Sequence, residues 1–260
     1  MIGQLRYQAL VLAAGRGVDD PMAKAFNTGH KCLVLVGGTP MLGRVVGALQ
    51  DSENIENIAV CIDAEDAVSQ ALGPSHGHAV IDSASSAPAS VLAALSGGGM
   101  DWPVLVTTAD HALLTPEMVD VFLNNSAQSG ADITVGLASR QTIEKRFPET
   151  TRTYFSFSDE HVSGCNMFAL RNERALNVVR FWQQADRNRK KPWKIVGAFG
   201  IMPFLRWATG HLSLEQAFAH VSAKLGAHIE PVMLPFAEAA VDVDKPEDKD
   251  LVERILAGKA

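Results

Sequence analysis

The chain has 260 residues, 47% of them hydrophobic, with 29 acidic against 23 basic side chains and a formal net charge of −6. That size suits one large α/β domain or a domain with a sizeable insertion, and the acidic balance argues against a general nucleic-acid-binding surface. Cys32, Cys61 and Cys165 are scattered, each in an apolar run, which reads as buried thiols in a reducing compartment and suggests neither a disulfide framework nor a zinc site.

The first half alternates strand and helix signals. Gln8 to Ala13 is a short, almost wholly apolar run, the pattern of a strand buried on both faces. It enters Gly15-Arg16-Gly17, a turn that lets backbone amides approach a ligand and sets a cation beside them. A polar segment ends in Lys31, and Cys32 to Val36 reads as a short strand. Thr39-Pro40 has the form of a helix cap with proline in the first turn, predicting a helix to about Leu49. Strands follow at Ile55 to Ile62, Ala79 to Ile81, Pro103 to Val106 and Ile133 to Leu137. Helical patterns separate them at Ala64 to Leu72, Val91 to Leu95 and from Thr115-Pro116 to about Leu123.

Strands separated by single helices imply right-handed crossovers and a mostly parallel sheet. Ligands then gather outside the carboxyl ends of the strands, where both Gly15-Arg16-Gly17 and Asp110 fall. From Ser139 the rhythm changes. Tyr154 to Phe157 and Cys165 to Leu170 read as an antiparallel pair, followed by helices at about Asn172 to Ala185, Trp193 to Trp207 and Leu214 to Leu225. Sheet character returns at Val232 to Leu234 and Ala239 to Val243, and a helix follows Lys245-Pro246. The amino terminus, MIGQLRYQAL, lacks the layout of a signal peptide, and no apolar stretch is long enough to span a bilayer, so a cytoplasmic protein is the expectation.

Asp110, directly after a buried strand, can hold a divalent cation as hard oxygen ligands hold magnesium, or it can cap the following helix. In AVDVDKPED, Asp242 and Asp244 alternate along an apparent strand and so share a face, with helix capping by Asp244 or Asp248 as the plain alternative. A glycine turn, two cations and two strand-end acids form a set that is harder to explain one member at a time.

LVLAAGRG, the lysine of HKCLVLVGGTPML, TTADHALLTPEMV and VDVDKPEDKDLV together resemble the MobA-like nucleotidyltransferases, over roughly residues 8 to 137 and 228 to 256. The resemblance implies a Rossmann-like three-layer fold of the nucleotide-diphospho-sugar-transferase type, mostly parallel. It would be one domain, with a core of 1–138 and 227–260 and an α+β insertion over 139–226 on the acceptor side. It also implies a nucleoside triphosphate (NTP) bound over Leu12, Ala13, Ala14, Gly15 and Gly17, with base and ribose toward Ser85 and Ser90. Arg16 and Lys31 would neutralise phosphate charge, while Asp110, Asp244 and Asp242 would hold Mg2+ (or Mn2+). A phosphate monoester would attack the α-phosphorus and pyrophosphate would leave, catalysis being positioning and charge neutralisation.

These enzymes usually carry an arginine a few residues beyond the second glycine; here the place reads Val18-Asp19-Asp20, leaving Arg16 or Lys24 to substitute. On the acceptor side, His111, Tyr154, Asn166 and Lys194 are the candidates, with Cys165 read as core. RNRKKPWK is either a solvated helix end or an anion site. WKIVGAFGIMPFLRW, kinked by Pro203, reads as a buried helix or a homodimer contact; an interfacial element touching a membrane or lipid-like acceptor is the other reading, and membrane contact is not expected. His30, His76, His78 and His161 read as surface residues. The alternatives to a nucleotidyltransferase are a non-catalytic nucleotide-binding module and a dinucleotide-dependent oxidoreductase. The latter is disfavoured because the turn lacks the third glycine and only Asp63 offers itself as the ribose-binding acid.

Overall fold

The computed structural model describes residues 5–15, 19–150, 152–187 and 200–259. In chain order, β1 (Tyr7–Leu12) leads to a short α1 (Pro21–Ala25) and a 3-10 turn at Lys31–Leu33. A small hairpin, β2 (Leu35–Val36) and β3 (Thr39–Pro40), precedes α2 (Met41–Gln50). Then come β4 (Ile55–Ile62), α3 (Glu65–Leu72), β5 (Ala79–Asp82), α4 (Ala87–Ser96) and β6 (Val104–Thr108). The chain continues with α5 (Pro116–Ser129), β7 (Ile133–Ser139), α6 (Arg140–Arg146), β8 (Phe155–Ser156) and β9 (His161–Leu170). It ends with α7 (Ala175–Arg187), α8 (Ile201–Ala208), α9 (Leu214–Leu225), β10 (Ile229–Met233), a 3-10 turn at Ala237–Ala240 and α10 (Pro246–Leu256).

The main sheet runs β10-β7-β9-β6-β1-β4-β5, with β8 added on β9. Strand pairs are parallel except where β9 runs antiparallel to both β6 and β7 and pairs with β8. Strand alternation builds the layers. Tyr7, Ala9 and Val11 face α2, α3 and α5, while Leu10 with Ala59 and Cys61 faces α4, α7 and α9. The result is the three-layer, mostly parallel α/β arrangement that the β-α rhythm implied. A third apolar cluster lies beyond the strand ends. Met22, Val34, Val36, Met41, Ala112, Leu113, Phe147, Val241, Val243 and Val252 pack together there and fix the segments that carry Lys31, Asp110 and Asp244.

Several elements differ from expectation. Cys32 to Val36 is a 3-10 turn and a two-residue strand, because Gly37 and Gly38, both at positive φ (58° and 78°), close a tight hairpin that takes Thr39 into β3. Pro40, not Thr39, is then the N-cap of α2, with no side-chain capping bond. Helix α5 runs on to Ser129. Cys165 to Leu170 does not pair with the segment around Tyr154; those residues lie between β6 and β7, and β8 pairs instead with His161 and Val162. Ala239 to Val243 forms no strand. It is a 3-10 turn and a run outside the sheet, in which Val241 and Val243 are buried and the Val243 amide donates to the Asp110 carbonyl at 3.0 Å.

Within α8, Pro203 sits in the first turn, where no donor is lost and no kink arises. Ile201, Met202, Leu205 and Trp207 are exposed, so the described part of that stretch is not a buried helix. Residues 193–199 of the predicted helix lie outside the described residues. Among the described residues no helix is long and apolar enough to cross a membrane.

Candidate active site

The register of the central strands sets the site. Leu12 pairs with Thr108 across β1 and β6, so Ala13–Gly15 and Ala109–Asp110 leave the sheet side by side. The Ala109 amide donates to the Leu12 carbonyl (2.9 Å), and the Ala13 amide to the Cys61 carbonyl (2.8 Å), extending the ladder to the rim. From the third apolar cluster, the 3-10 turn delivers Lys31. Its Nζ donates to Asp110 Oδ2 and to Asp244 Oδ1, each at 2.7 Å. Burial of Lys31 works against its charge, but Asp110 and Asp244 outweigh it and push the ammonium up to about 12. The lysine is therefore a fixed cation tying together two distant parts of the chain.

Geometry excludes capping for Asp110 and Asp244, while Asp248 does cap the start of α10, as the plain alternative had it. Thr115 caps α5, its Oγ1 accepting from the Met118 amide at 3.2 Å, so Asp110 is not a helix cap. Asp248 accepts from the amides of Asp244 (3.1 Å) and Lys245 (2.9 Å), which leaves the Asp244 carboxylate for Lys31. The two acids that stand where a loop arginine was expected have local partners. Asp20 is the buried N-cap of α1, accepting from Met22 and Ala23, and Asp19 pairs with the exposed Lys24 at 2.7 Å.

Asp242 is held on both oxygens, by Arg152 (3.0 Å to Oδ1) and more loosely by Asn166 Nδ2 (3.5 Å to Oδ2). Burial raises its pKa, Asp244 and Asp110 add to the rise, and Arg152 opposes it. Three carboxylates thus share one electrostatic neighbourhood. Asn166 reaches Asp242 from a positive φ of 50°, an uncommon conformation for a side-chain-bearing residue.

Around this cluster, several buried polar atoms have no hydrogen-bond partner among the described residues: Asp110 Oδ1, Thr107 Oγ1, Thr108 Oγ1, both ring nitrogens of His111, and the Tyr154 hydroxyl. Each such atom costs about 1–3 kcal/mol, and their concentration at one rim marks a place built to receive polar groups. Burial pushes the His111 imidazole down to about 4, against a smaller upward pull from Asp110.

On the nucleotide side, Leu12 and Ala13 lie at the end of β1 and Ala14 is exposed. The Gly15 amide donates to Asp63 Oδ1 at 3.1 Å. Ser90 is buried and its Oγ accepts from the Ala84 amide (2.9 Å), shaping the loop on which Ser85 is exposed. Arg16, Gly17 and Lys194 lie outside the described residues, as does all of RNRKKPWK after Arg187. Cys165 is a core residue, its thiol pushed up to about 12 by burial.

His30 is not a surface residue: it is 2% exposed, and its Nε2 lies 3.1 Å from Asp63. Asp63, considered above for a ribose, binds Gly15 and His30 instead. His30 and Arg152 were not legible as site residues, and Asp63 only in a ribose-binding role, because their partners lie far along the chain; the only signal was position, His30 before the motif lysine and Asp63 directly after a buried strand. A cavity of about 550 Å³ also opens at the amino ends of the strands, beside Gln8, Ile55 and Ala79, at the opposite end of the sheet from the Lys31 cluster. It lacks the convergent charges found around Lys31.

Comparison with known proteins agrees with this geometry. The family described as the MobA-like NTP transferase domain matches residues 9–191. A search of the curated proteins found no match. Among solved structures, a hypothetical transferase from Thermus thermophilus is 26% identical with a TM-score of 0.81, covering 94% of this chain and 100% of its own. A CMP:2-keto-3-deoxy-manno-octonic acid synthetase complexed with CTP is 14% identical with a TM-score of 0.58, covering 99% and 100%. A 4-diphosphocytidyl-2C-methyl-D-erythritol synthase from Anaerococcus prevotii DSM 20548 is 12% identical with a TM-score of 0.57, covering 98% and 99%. The latter two likenesses show the fold. With the family match extending over most of its length, the chain belongs to the MobA-like NTP transferases and is a nucleotidyltransferase.

Proposed function

We propose that the protein moves a nucleotidyl group from an NTP to a small phosphate-monoester acceptor, with release of pyrophosphate and with Mg2+ (or Mn2+) as its ion. The observation that carries this reading is the Lys31 ammonium held between Asp110 and Asp244 at the carboxyl ends of parallel strands. A cation and two carboxylates from three parts of the chain converge where phosphates and a metal would have to meet. The solved neighbour in complex with CTP supports a triphosphate as donor, and we carry over the triphosphate and not the base.

The donor set fits a hard cation. Asp110 keeps a buried oxygen without a partner among the described residues, and Asp244 is more than half exposed beside it. Among the described residues no trio of His, Cys, Asp or Glu forms a ready-made cage, which suits magnesium, a metal commonly held by one or two carboxylates and completed by substrate phosphates. We assign the ion to Asp110 and Asp244; when bound, it supplies charge neutralisation between the triphosphate and the incoming phosphate. Asp242, also offered by the motif as a ligand, has both oxygens engaged, and we give it the task of holding Arg152 and Asn166.

In the step itself, an oxygen of the acceptor phosphate forms a bond to the α-phosphorus. The bond from that phosphorus to the bridging oxygen breaks, and its electron pair leaves on pyrophosphate. No side-chain nucleophile is required. Lys31 keeps its charge throughout and offsets phosphate charge; Arg152 supplies a second cation on the acceptor side, where His111, Tyr154 and Asn166 border the cleft. Substituting Lys31→Ala or Asp110→Ala should each lower turnover by about 10²–10³-fold or more, as expected when a preorganised electrostatic contact is removed. Full pyrophosphate release from either variant, with unchanged circular dichroism, would overturn the assignment.

A further inference from the structure

One buried histidine links the two phosphate-side segments of the cleft. His30 Nδ1 accepts from the Cys32 amide at 3.2 Å, and so caps the 3-10 turn that carries Lys31. The Cys32 thiol, pushed up to about 12 by burial and by Asp63, keeps its proton 3.1 Å from the same nitrogen. With Nδ1 an acceptor, the ring proton is assigned to Nε2, which donates to Asp63 Oδ1 at 3.1 Å. That oxygen also accepts from the Gly15 amide at 3.1 Å. Burial raises the Asp63 pKa, but the bonds from Gly15 and His30 outweigh it and hold the carboxyl below its ordinary range.

The contact is close enough to dictate the residue at 15. A Cβ added to Gly15 would stand 2.8 Å from His30 Nε2. Glycine is therefore required there by the approach of the imidazole, quite apart from any ligand. Nor is the Gly15 amide free for phosphate. Its bond to Asp63 sets the direction in which the chain leaves β1.

We infer that His30 and Asp63 are a positioning pair for the triphosphate side of the cleft, His30 fixing the Lys31 turn through Nδ1 and, through Asp63, the Gly15 turn. This deepens the proposed reaction and rests on it, since the ligand being positioned is the triphosphate. Neither residue touches substrate; each acts through a backbone amide. The two contacts of His30 can be separated, because the polar head of asparagine stands near the place of Nδ1 and that of glutamine near the place of Nε2.

The test uses the full-length protein with ATP, CTP, GTP and UTP, each with MgCl2. Binding is followed by calorimetry, turnover by pyrophosphate release, and Gly15 by hydrogen exchange of the peptide spanning the end of β1. His30→Asn keeps the cap and loses Asp63, and is expected to weaken NTP binding roughly 10- to 100-fold, the scale of one lost charge-assisted hydrogen bond, with faster exchange at Gly15. Asp63→Ala should do the same and serves if the histidine variants do not fold. His30→Gln keeps the Asp63 contact, so NTP affinity should stay within about threefold of wild type while kcat falls with the loosened Lys31 turn. The inference is overturned if His30→Asn and Asp63→Ala bind NTP as wild type does. It is equally overturned if His30→Gln loses as much affinity as His30→Asn in step with a lower Tm. Wild-type protein that binds none of the four NTPs contradicts the nucleotidyl-transfer reading and the inference together, whereas intact wild-type binding with indifferent variants contradicts the inference alone.

Discussion

Lys31, Asp110 and Asp244 are 79 and 213 residues apart from lysine to each acid, yet both contacts measure 2.7 Å. The sequence pointed to them because Asp110 follows a buried strand, Asp244 follows the alternating run AVDV, and Lys31 closes the polar segment before Cys32 to Val36. Only Asp110 lies at a strand end of the parallel sheet, where ligands gather. Arg152 carried no such signal. Its meaning comes from Asp242, 90 residues away, and from a guanidinium that is only 12% exposed. We expect Arg152→Ala to raise the KM for the acceptor by about 10- to 100-fold with the KM for NTP little changed, since a charged contact on the acceptor side alone is lost. Steady-state kinetics with each substrate varied in turn checks this, and an equal rise in both KM values would count against an acceptor-side role.

Among elements, the strands and helices with strong periodicity were legible nearly to the residue, as with β4 and α9. The failures have a common cause. Around β2 and at 237–244, short apolar runs lack the length to distinguish a strand from a packed turn; the β2–β3 hairpin and the third apolar cluster, not the main sheet, determine their path. The junction of β7, β9 and β10 shows how element ends are tied. Asp132 accepts from Asn172 Nδ2 and from the His228 amide, both at 2.8 Å. Burial raises its pKa, but these bonds outweigh it and hold the carboxyl below the ordinary range. A depressed acid contributes stability that is present above the ordinary carboxylate value, about 4, and lost as pH falls through the lower folded value. Asp132→Asn should therefore cost about 1–3 kcal/mol near neutrality and flatten the acid limb of the stability profile below about pH 4. Urea unfolding from pH 3 to 7 measures both; a parallel shift at every pH would show that ionisation at Asp132 is not involved.

For the molecule as a whole, the alternation of strand and helix was enough to foresee a three-layer, mostly parallel fold, because each βαβ crossover is a local event. The place of β9 was not foreseeable in that way. It enters the sheet antiparallel between β6 and β7, a pairing that depends on which strands are left unpartnered. We therefore propose that residues 139–226 and the flanking core form one folding unit. Excising 139–226 would leave β6 and the β7–β10 pair without the strand that joins them. The shortened chain should show no cooperative unfolding transition by circular dichroism; a cooperative one would show that the segment is separable.

The central claim is nucleotidyl transfer, and pyrophosphate release tests it most directly. Wild-type protein, Lys31→Ala and Asp110→Ala are each given ATP, CTP, GTP or UTP with MgCl2 and pooled phosphorylated acceptors. Wild type should give acceptor-dependent pyrophosphate with at least one NTP, and both variants should lose it. NTP binding by wild type without pyrophosphate from any acceptor pool, or equal release by all three proteins, would contradict the claim.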